Sequence, residues 1–131
     1  MIDKEYRDFL KEKVRIQFAR IQKLYCECIK EDVIFNAQGF NHLLYRFSGK
    51  PRKINEQIYK LRLFRFVQTV ITNAISISEI RTEVGDVSRK KRTSKKNITY
   101  VALIGRSKIK VILKKVGKGR FIFWSVMRLK D

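Results

Sequence analysis

Residues 33–52 read VIFNAQGFNHLLYRFSGKPR, and the reading of the fold turns on them. Residues 33–35 are an apolar run suited to a short strand, and turn formers follow from Asn36 to Gly39. Phe40, Leu43, Leu44 and Phe47 then fall at i, i+3, i+4 and i+7, the spacing of one face of a small helix. At 100° per residue, His42 and Arg46 lie roughly 200–240° from Phe40, on the far side of that stripe. His42 is the only histidine, and its ordinary pKa suits proton transfer near neutrality. Ser48-Gly49-Lys50-Pro51-Arg52 closes the stretch, where Pro51 ends the helix and biases Lys50 towards extended backbone.

Upstream, residues 3–30 carry the period of one long amphipathic helix. Tyr6, Leu10, Val14, Phe18, Ile21, Leu24, Tyr25 and Cys28 gather on one side, and Asp3, Glu5 and Asp8 suit its N-terminal turns. Residues 1–31 are therefore read as an N-terminal packing helix. Cys26 and Cys28 fall inside it as structural thiols of a reducing compartment; with one histidine and no second cysteine pair they make no closed zinc site.

Downstream, a second long helix is expected from about Lys53 to Ala74 or Ile75, apolar over more than half its circumference and so covered on most sides. Residues 75–83 alternate as the start of a strand. Residues 85–97, GDVSRKKRTSKKN, hold six Lys or Arg in thirteen positions and read as a flexible phosphate-gripping loop. Three strands follow at residues 97–104, 108–116 and 120–129, rich in β-branched and aromatic residues, with glycine-containing hairpin turns between them. In the middle strand Ile109, Val111 and Leu113 oppose Lys108, Lys110, Ile112 and Lys114, one apolar face and one mostly cationic. The last strand is apolar at nearly every position from Phe121 to Val126 and should be central. The fold class is thus α+β: two long helices and a short one on one face of an antiparallel sheet of about four strands. Residues 1–131 form a single domain, with the core at 32–131.

Charge bounds the partner. The 131-residue chain carries 31 Lys and Arg against 12 Asp and Glu, net +19. Residues 1–50 hold 10 against 7, and residues 51–131 hold 21 against 5, so a polyanion should meet the second part. A charged N-terminus without an apolar h-region, and no run near the roughly 20 residues of a membrane span, lead to the expectation of a soluble cytoplasmic protein without a membrane partner.

Most catalytic signatures are missing: there is no phosphate-binding glycine loop, no H-E-x-x-H and no clustered carboxylates for divalent metals. What remains suits metal-independent RNA cleavage, with no cofactor expected. There the 2′-hydroxyl attacks the adjacent phosphate while histidine transfers protons, cations hold phosphoryl oxygens, and a hydroxyl donates a hydrogen bond. His42, Arg46, Lys50, Arg52, Tyr100, Lys110 and Ser125 are the right types. Trp124 could stack a base but is assigned to the core.

The order of motifs adds to this. A strand, G-F-x-H-L at Gly39, a small helix, G-K-P-R at Gly49, a long helix, then Y-x-x-L at Tyr100, K-x-x-V-I-L at Lys108 and F-x-F-x-S-V at Phe121 resembles the phage- and mobile-element-associated nucleases of the barnase–EndoU–colicin–RelE-like superfamily. The resembling part spans residues 33–129. It implies a small α+β endoribonuclease, metal-independent, possible as a toxin or phage-associated effector with a neutralising antitoxin or immunity protein. It places residues 33–42 at the active-site edge, with Tyr100, the basic strand and Ser125 facing the substrate. One departure is that some of these enzymes use more than one histidine, so a second proton-transfer role here falls to Lys, Arg or Tyr.

The resulting expectation gives proton transfer to His42, phosphorane stabilisation to Lys50, Arg52 and Lys110, and orientation of the scissile phosphate to Ser125. Arg46, Tyr100, Lys108, Arg89, Lys90, Lys91, Arg92, Lys95 and Lys96 are assigned to binding RNA, a tRNA or another structured RNA. The alternative readings are a non-catalytic basic RNA- or DNA-binding module and, more distantly, a basic interaction domain of a phage complex.

Overall fold

The N-terminal period does form a helix, α1 (Ile2–Ile21), burying Leu10, Val14 and Phe18 at a spacing of four. It is shorter than the pattern suggested. Gln22 takes a left-handed φ of 58°, which ends the helix, and its carbonyl accepts the Phe35 N–H. The computed structural model describes residues 2–89, 92–106 and 108–129, with only the backbone given for 87–89 and 92–94. Residues beyond Gln22 form β1 (Lys23–Cys26), which turns through Lys30 (φ 54°) into β2 (Glu31–Ile34). Leu24 and Cys26 point inward while Lys23 and Tyr25 are exposed, the period of two of a strand; Leu24 also fits the helical stripe, which is why the pattern ran on past Gln22. The cysteines therefore lie on a strand and its turn. Cys26 is fully buried, and the Cys28 thiol donates to the Ala74 carbonyl at 3.6 Å.

The short strand and helix of residues 33–52 appear as β2 and α2 (Ala37–Leu44), with Asn36 as N-cap accepting the Gly39 N–H at 3.2 Å. The helix stops at Leu44, earlier than its apolar stripe. Tyr45 becomes extended and bridges Pro51, closing a turn in which Phe47 is 91% exposed. The second long helix is broken in two. α3 (Ile54–Leu63) passes through a 3-10 turn at Phe64–Phe66 into α4 (Val67–Asn73).

Among the described residues the sheet has six strands rather than about four, and it is mixed. β3 (Ser76–Arg89), β4 (Arg92–Ile104), β5 (Ile109–Val116) and β6 (Phe121–Arg128) are antiparallel in turn, β1 and β2 are antiparallel, and β2 joins β6 in parallel. The order is β1-β2-β6-β5-β4-β3, with β6 in the interior as expected. Within the stretch expected as a basic loop, 85–97, the described residues 85–89 and 92–97 are paired strand: Gly85 faces Lys96 and Arg89 faces Arg92 in a long β3–β4 hairpin. Alternating charge does not prevent pairing there, because an exposed ribbon can solvate lysines on both faces. Lys90 and Lys91 lie outside the described residues.

α1, α3 and α4 cover one face of the sheet. The centre is an aromatic cluster in which Phe18 stacks on Phe64 at 4.8 Å, Phe35 stacks on Phe123 at 5.5 Å, and Phe18 meets Phe123 edge-on. Around it, Leu61, Val67, Ile71, Leu103, Val111 and Leu113 are buried. Burying each such side chain contributes about 1.5–3 kcal/mol. No helix among the described residues is long and apolar enough to cross a membrane.

One feature of the topology builds the site. β2 pairs with β6 only at Val33–Phe121 and Ile34–Ile122, so residues 123–128 present a free edge on that side. Helices cover it. Gly39 brings α2 so close that a Cβ there would lie 2.1 Å from the Phe123 carbonyl oxygen, and only glycine permits the approach. From α3, Lys60 Nζ donates to the Val126 carbonyl at 3.2 Å, and the Tyr59 hydroxyl accepts the Arg128 N–H at 2.9 Å. Hence α2 and α3 stand beside the open face of the sheet, where their polar side chains meet it.

Candidate functional site

A cleft of about 570 Å³ lies where the open face meets that helical edge. α2 supplies His42 and α3 supplies Lys60, while Arg52 comes from the turn between them. Tyr100, Lys110 and Ile112 rise from β4 and β5, and Trp124, Ser125 and Met127 from β6. The outer wall, β3, adds Glu79, Arg81 and Glu83. Of the five residues expected to carry chemistry, the fold brings His42, Arg52, Lys110 and Ser125 into one cleft, and Tyr100 with them.

Ser125 reaches it through a local irregularity. Ile112 faces Ser125 and Leu113 faces Phe123, so Trp124 is an extra residue on β6. Such a bulge re-aims the side chains beside it. Trp124 is half-buried and points to the open face rather than into the core where the sequence had placed it. The His42 ring lies on it at 3.9 Å between centroids and 14° between planes, and Lys114 Nζ lies 3.9 Å from the same ring.

Arg52 ties the histidine down. Its Nε donates to the His42 carbonyl at 3.0 Å, its Nη2 lies 3.3 Å from His42 Nε2, and its Nη1 pairs with Glu56 at 2.5 Å. A guanidinium has no acceptor, so the contact requires His42 Nε2 to be the lone-pair nitrogen. The Gln57 amide donates to the Arg52 carbonyl while its oxygen accepts from Arg7 of α1, bracing the turn from behind. The Glu56 carboxyl is held below its ordinary range by the hydrogen bond from Arg52, despite some opposing desolvation.

The electrostatics of this arrangement revise one expectation. Burial, then the positive charges of Arg52, Lys60 and Lys114, push the His42 pKa down from 6.5 to about 4. The imidazole is therefore neutral at pH 7, and its pKa does not lie near neutrality. The group whose pKa approaches neutrality is Lys60, lowered from 10.5 to about 8 by burial and then by Arg52, with Glu56 opposing. Lys60 is 7% exposed, and its Nζ donates to Ser125 Oγ at 3.1 Å as well as to Val126. Lys114 is lowered by desolvation, and the Tyr100 hydroxyl is raised by desolvation and by Glu83, so it stays protonated as a donor.

Lys60 is the residue the sequence reading missed. Gln57, Lys60, Leu61 and Phe64 fall at i, i+3, i+4 and i+7, which puts a lysine on the buried stripe of its helix. A lysine in that position needs a buried acceptor, and this was the available signal.

Other assigned residues lie elsewhere. Lys50 is exposed in the turn after α2, where its carbonyl accepts the Arg46 N–H at 2.7 Å, and its side chain does not line the cleft. Lys108 precedes β5 with a left-handed φ of 58° and is also outside the cleft. Arg46 and Lys96 line a larger trough of about 1720 Å³ that shares His42, Tyr100 and Trp124 with the cleft and continues past Lys118 and Arg120. Lys95 is exposed but lines neither, and Arg89 and Arg92 sit at the far end of the hairpin. Among the described residues, no group of three His, Cys, Asp or Glu is placed to hold a metal ion.

No protein-family model matches the chain, and neither curated proteins nor solved structures gave a match.

Proposed function

We propose that the chain is an RNA-binding, metal-independent endoribonuclease that cleaves by attack of the 2′-hydroxyl on the adjacent phosphate. The observation that carries this reading is the convergence of Arg52, Lys60 and Lys110 on one neutral histidine and one serine hydroxyl in a single cleft, with Lys114 over the Trp124 ring in the adjoining trough. Only Glu56 pairs directly with these cations among the ion pairs described, and it pairs with Arg52. Burial desolvates Lys60 and Lys114, and like charges held together in that way are unfavourable until an anion enters; a phosphodiester is the anion that the overall charge attracts.

The roles follow from donors and acceptors. The Lys60 ammonium donates to Ser125 Oγ, so the serine must direct its own proton elsewhere, and a phosphoryl oxygen in the cleft is the fitting acceptor. Arg52 and Lys110 stabilise charge on the phosphorane as it develops. His42, unprotonated with Nε2 as acceptor, takes the 2′-hydroxyl proton once Arg52 turns to the phosphate. As the bond from phosphorus to the 5′-oxygen breaks, Lys60 supplies the proton for the leaving oxygen. The products are a 2′,3′-cyclic phosphate and a 5′-hydroxyl.

Incubating purified protein with RNA in EDTA tests this. Wild type should cleave, and Lys60→Met and His42→Ala should each lose about 10²-fold or more in rate, the scale of one general acid–base group. Absence of cleavage by wild type would reduce the protein to a nucleic-acid-binding module.

A further inference from the structure

We infer that Phe47 is a base-stacking platform, and that the RNA taken by this site is single-stranded where it crosses the turn after α2. This rests on the ribonuclease reading and names the form of its substrate. Phe47 is the most exposed of the large apolar side chains described, at 91%. The helical spacing of residues 40–47 would bury it, yet the chain leaves the helix at Tyr45 and turns it outward.

The exposure is built rather than incidental. The Tyr45–Pro51 bridge closes the turn, the Arg46 N–H bonds to Lys50 O at 2.7 Å, and the Gly49 N–H to Arg46 O at 2.8 Å, with Gly49 at φ 85°. The Arg52 N–H bonds to Leu44 O, fixing the turn to the end of α2. Phe47 is thus held in water by an ordered backbone, which costs hydrophobic free energy unless something covers the ring. It lines both the inner cleft and the outer trough, so whatever covers it lies on the path between them.

The surroundings select the occupant. Arg46 and Lys50 flank the ring in sequence, and the trough beyond it is lined by Lys96, Lys118 and Arg120. Alternating cations and an exposed aromatic ring match a strand whose phosphates and bases alternate, because every base has a face that can stack. A duplex keeps its base faces stacked on one another and offers none to Phe47.

The test uses a short single-stranded 2′-O-methyl oligonucleotide, which lacks the attacking hydroxyl, and the same oligonucleotide annealed to its complement, both followed by fluorescence anisotropy. Phe47→Ala should bind the single strand about 5- to 100-fold more weakly, the fold-change of losing one base–aromatic stack. Phe47→Trp should restore binding and Phe47→Leu should not; duplex affinity and melting temperature should be unchanged in all three. The salt dependence of single-strand binding should keep its slope in Phe47→Ala and become shallower in Lys50→Ala, since only the lysine releases counterions. Unchanged single-strand affinity in Phe47→Ala, an equal loss on duplex, or rescue by leucine would each overturn the inference. Failure of wild type to bind either oligonucleotide would overturn it together with the ribonuclease reading. The Phe47 effect without cleavage of unmodified RNA would support it and remove the catalytic reading alone.

Discussion

His42 lies flat against Trp124, with ring centroids 3.9 Å apart, while Arg52 Nη2 stands 3.3 Å from its Nε2. Burial of the ring disfavours the imidazolium by excluding water, and the charge of Arg52 disfavours it further. An anion bound among Arg52, Lys60 and Lys114 would reverse the second effect. The His42 pKa should therefore lie near 4 in the free protein and rise on adding a non-cleavable nucleotide or inorganic phosphate. Imidazole chemical shifts followed by NMR against pH give this directly. A pKa that stays put with saturating ligand would place the phosphate away from the histidine.

The same two buried bases shape stability against pH. The unfolded chain protonates His42 near its ordinary 6.5 and the folded one near 4, so as pH falls between those values only the unfolded state gains a proton and stability drops. Lys60 acts at the other end. Between about 8 and 10.5 the folded state has released a proton that the unfolded chain retains, so stability rises with pH across that window. Melting temperatures of His42→Phe should fall less than wild type on acidification from 6.5 to 4. Those of Lys60→Met should rise less between 8 and 10.5. Slopes equal to wild type would show that these groups titrate normally.

Gly39→Ala probes the contact on which the site depends. A Cβ 2.1 Å from the Phe123 carbonyl oxygen cannot be accommodated, so α2 must move off β6. The expected cost is about 1–3 kcal/mol. Trp124 is the only tryptophan, so its emission reports the shift of His42 away from the ring. Unchanged emission and stability would mean that the helix and strand are not in close contact.

The α+β class and the interior place of β6 were legible because a run such as Phe121–Val126 fits few alternatives to a buried strand. The end of α1 was not. Leu24, Cys26 and Cys28 satisfy a period of two, Leu24 and Cys28 also satisfy a helical one, and only the left-handed turn at Gln22 decides between them. The basic hairpin arms were hidden for a different reason, since cation density masks the strand signal when both faces are solvated. For the site, His42, Arg52, Tyr100, Lys110 and Ser125 could be gathered from residue type and order. Trp124 could not, and for Lys60 only its place on the buried stripe was legible, because the role of each is set by a partner more than fifty residues away: Ser125 for Lys60 and His42 for Trp124.

In the proposed cleavage the nucleophile is the substrate's own 2′-oxygen. The most direct measurement is end-group analysis of a labelled RNA after reaction in EDTA, beside the same RNA with a single 2′-deoxy substitution at the cleaved position. The first should give 2′,3′-cyclic phosphate and 5′-hydroxyl ends, and the second should keep its bond uncut. Cleavage of the 2′-deoxy bond, or products ending in a 3′-hydroxyl and a 5′-phosphate, would contradict this mechanism.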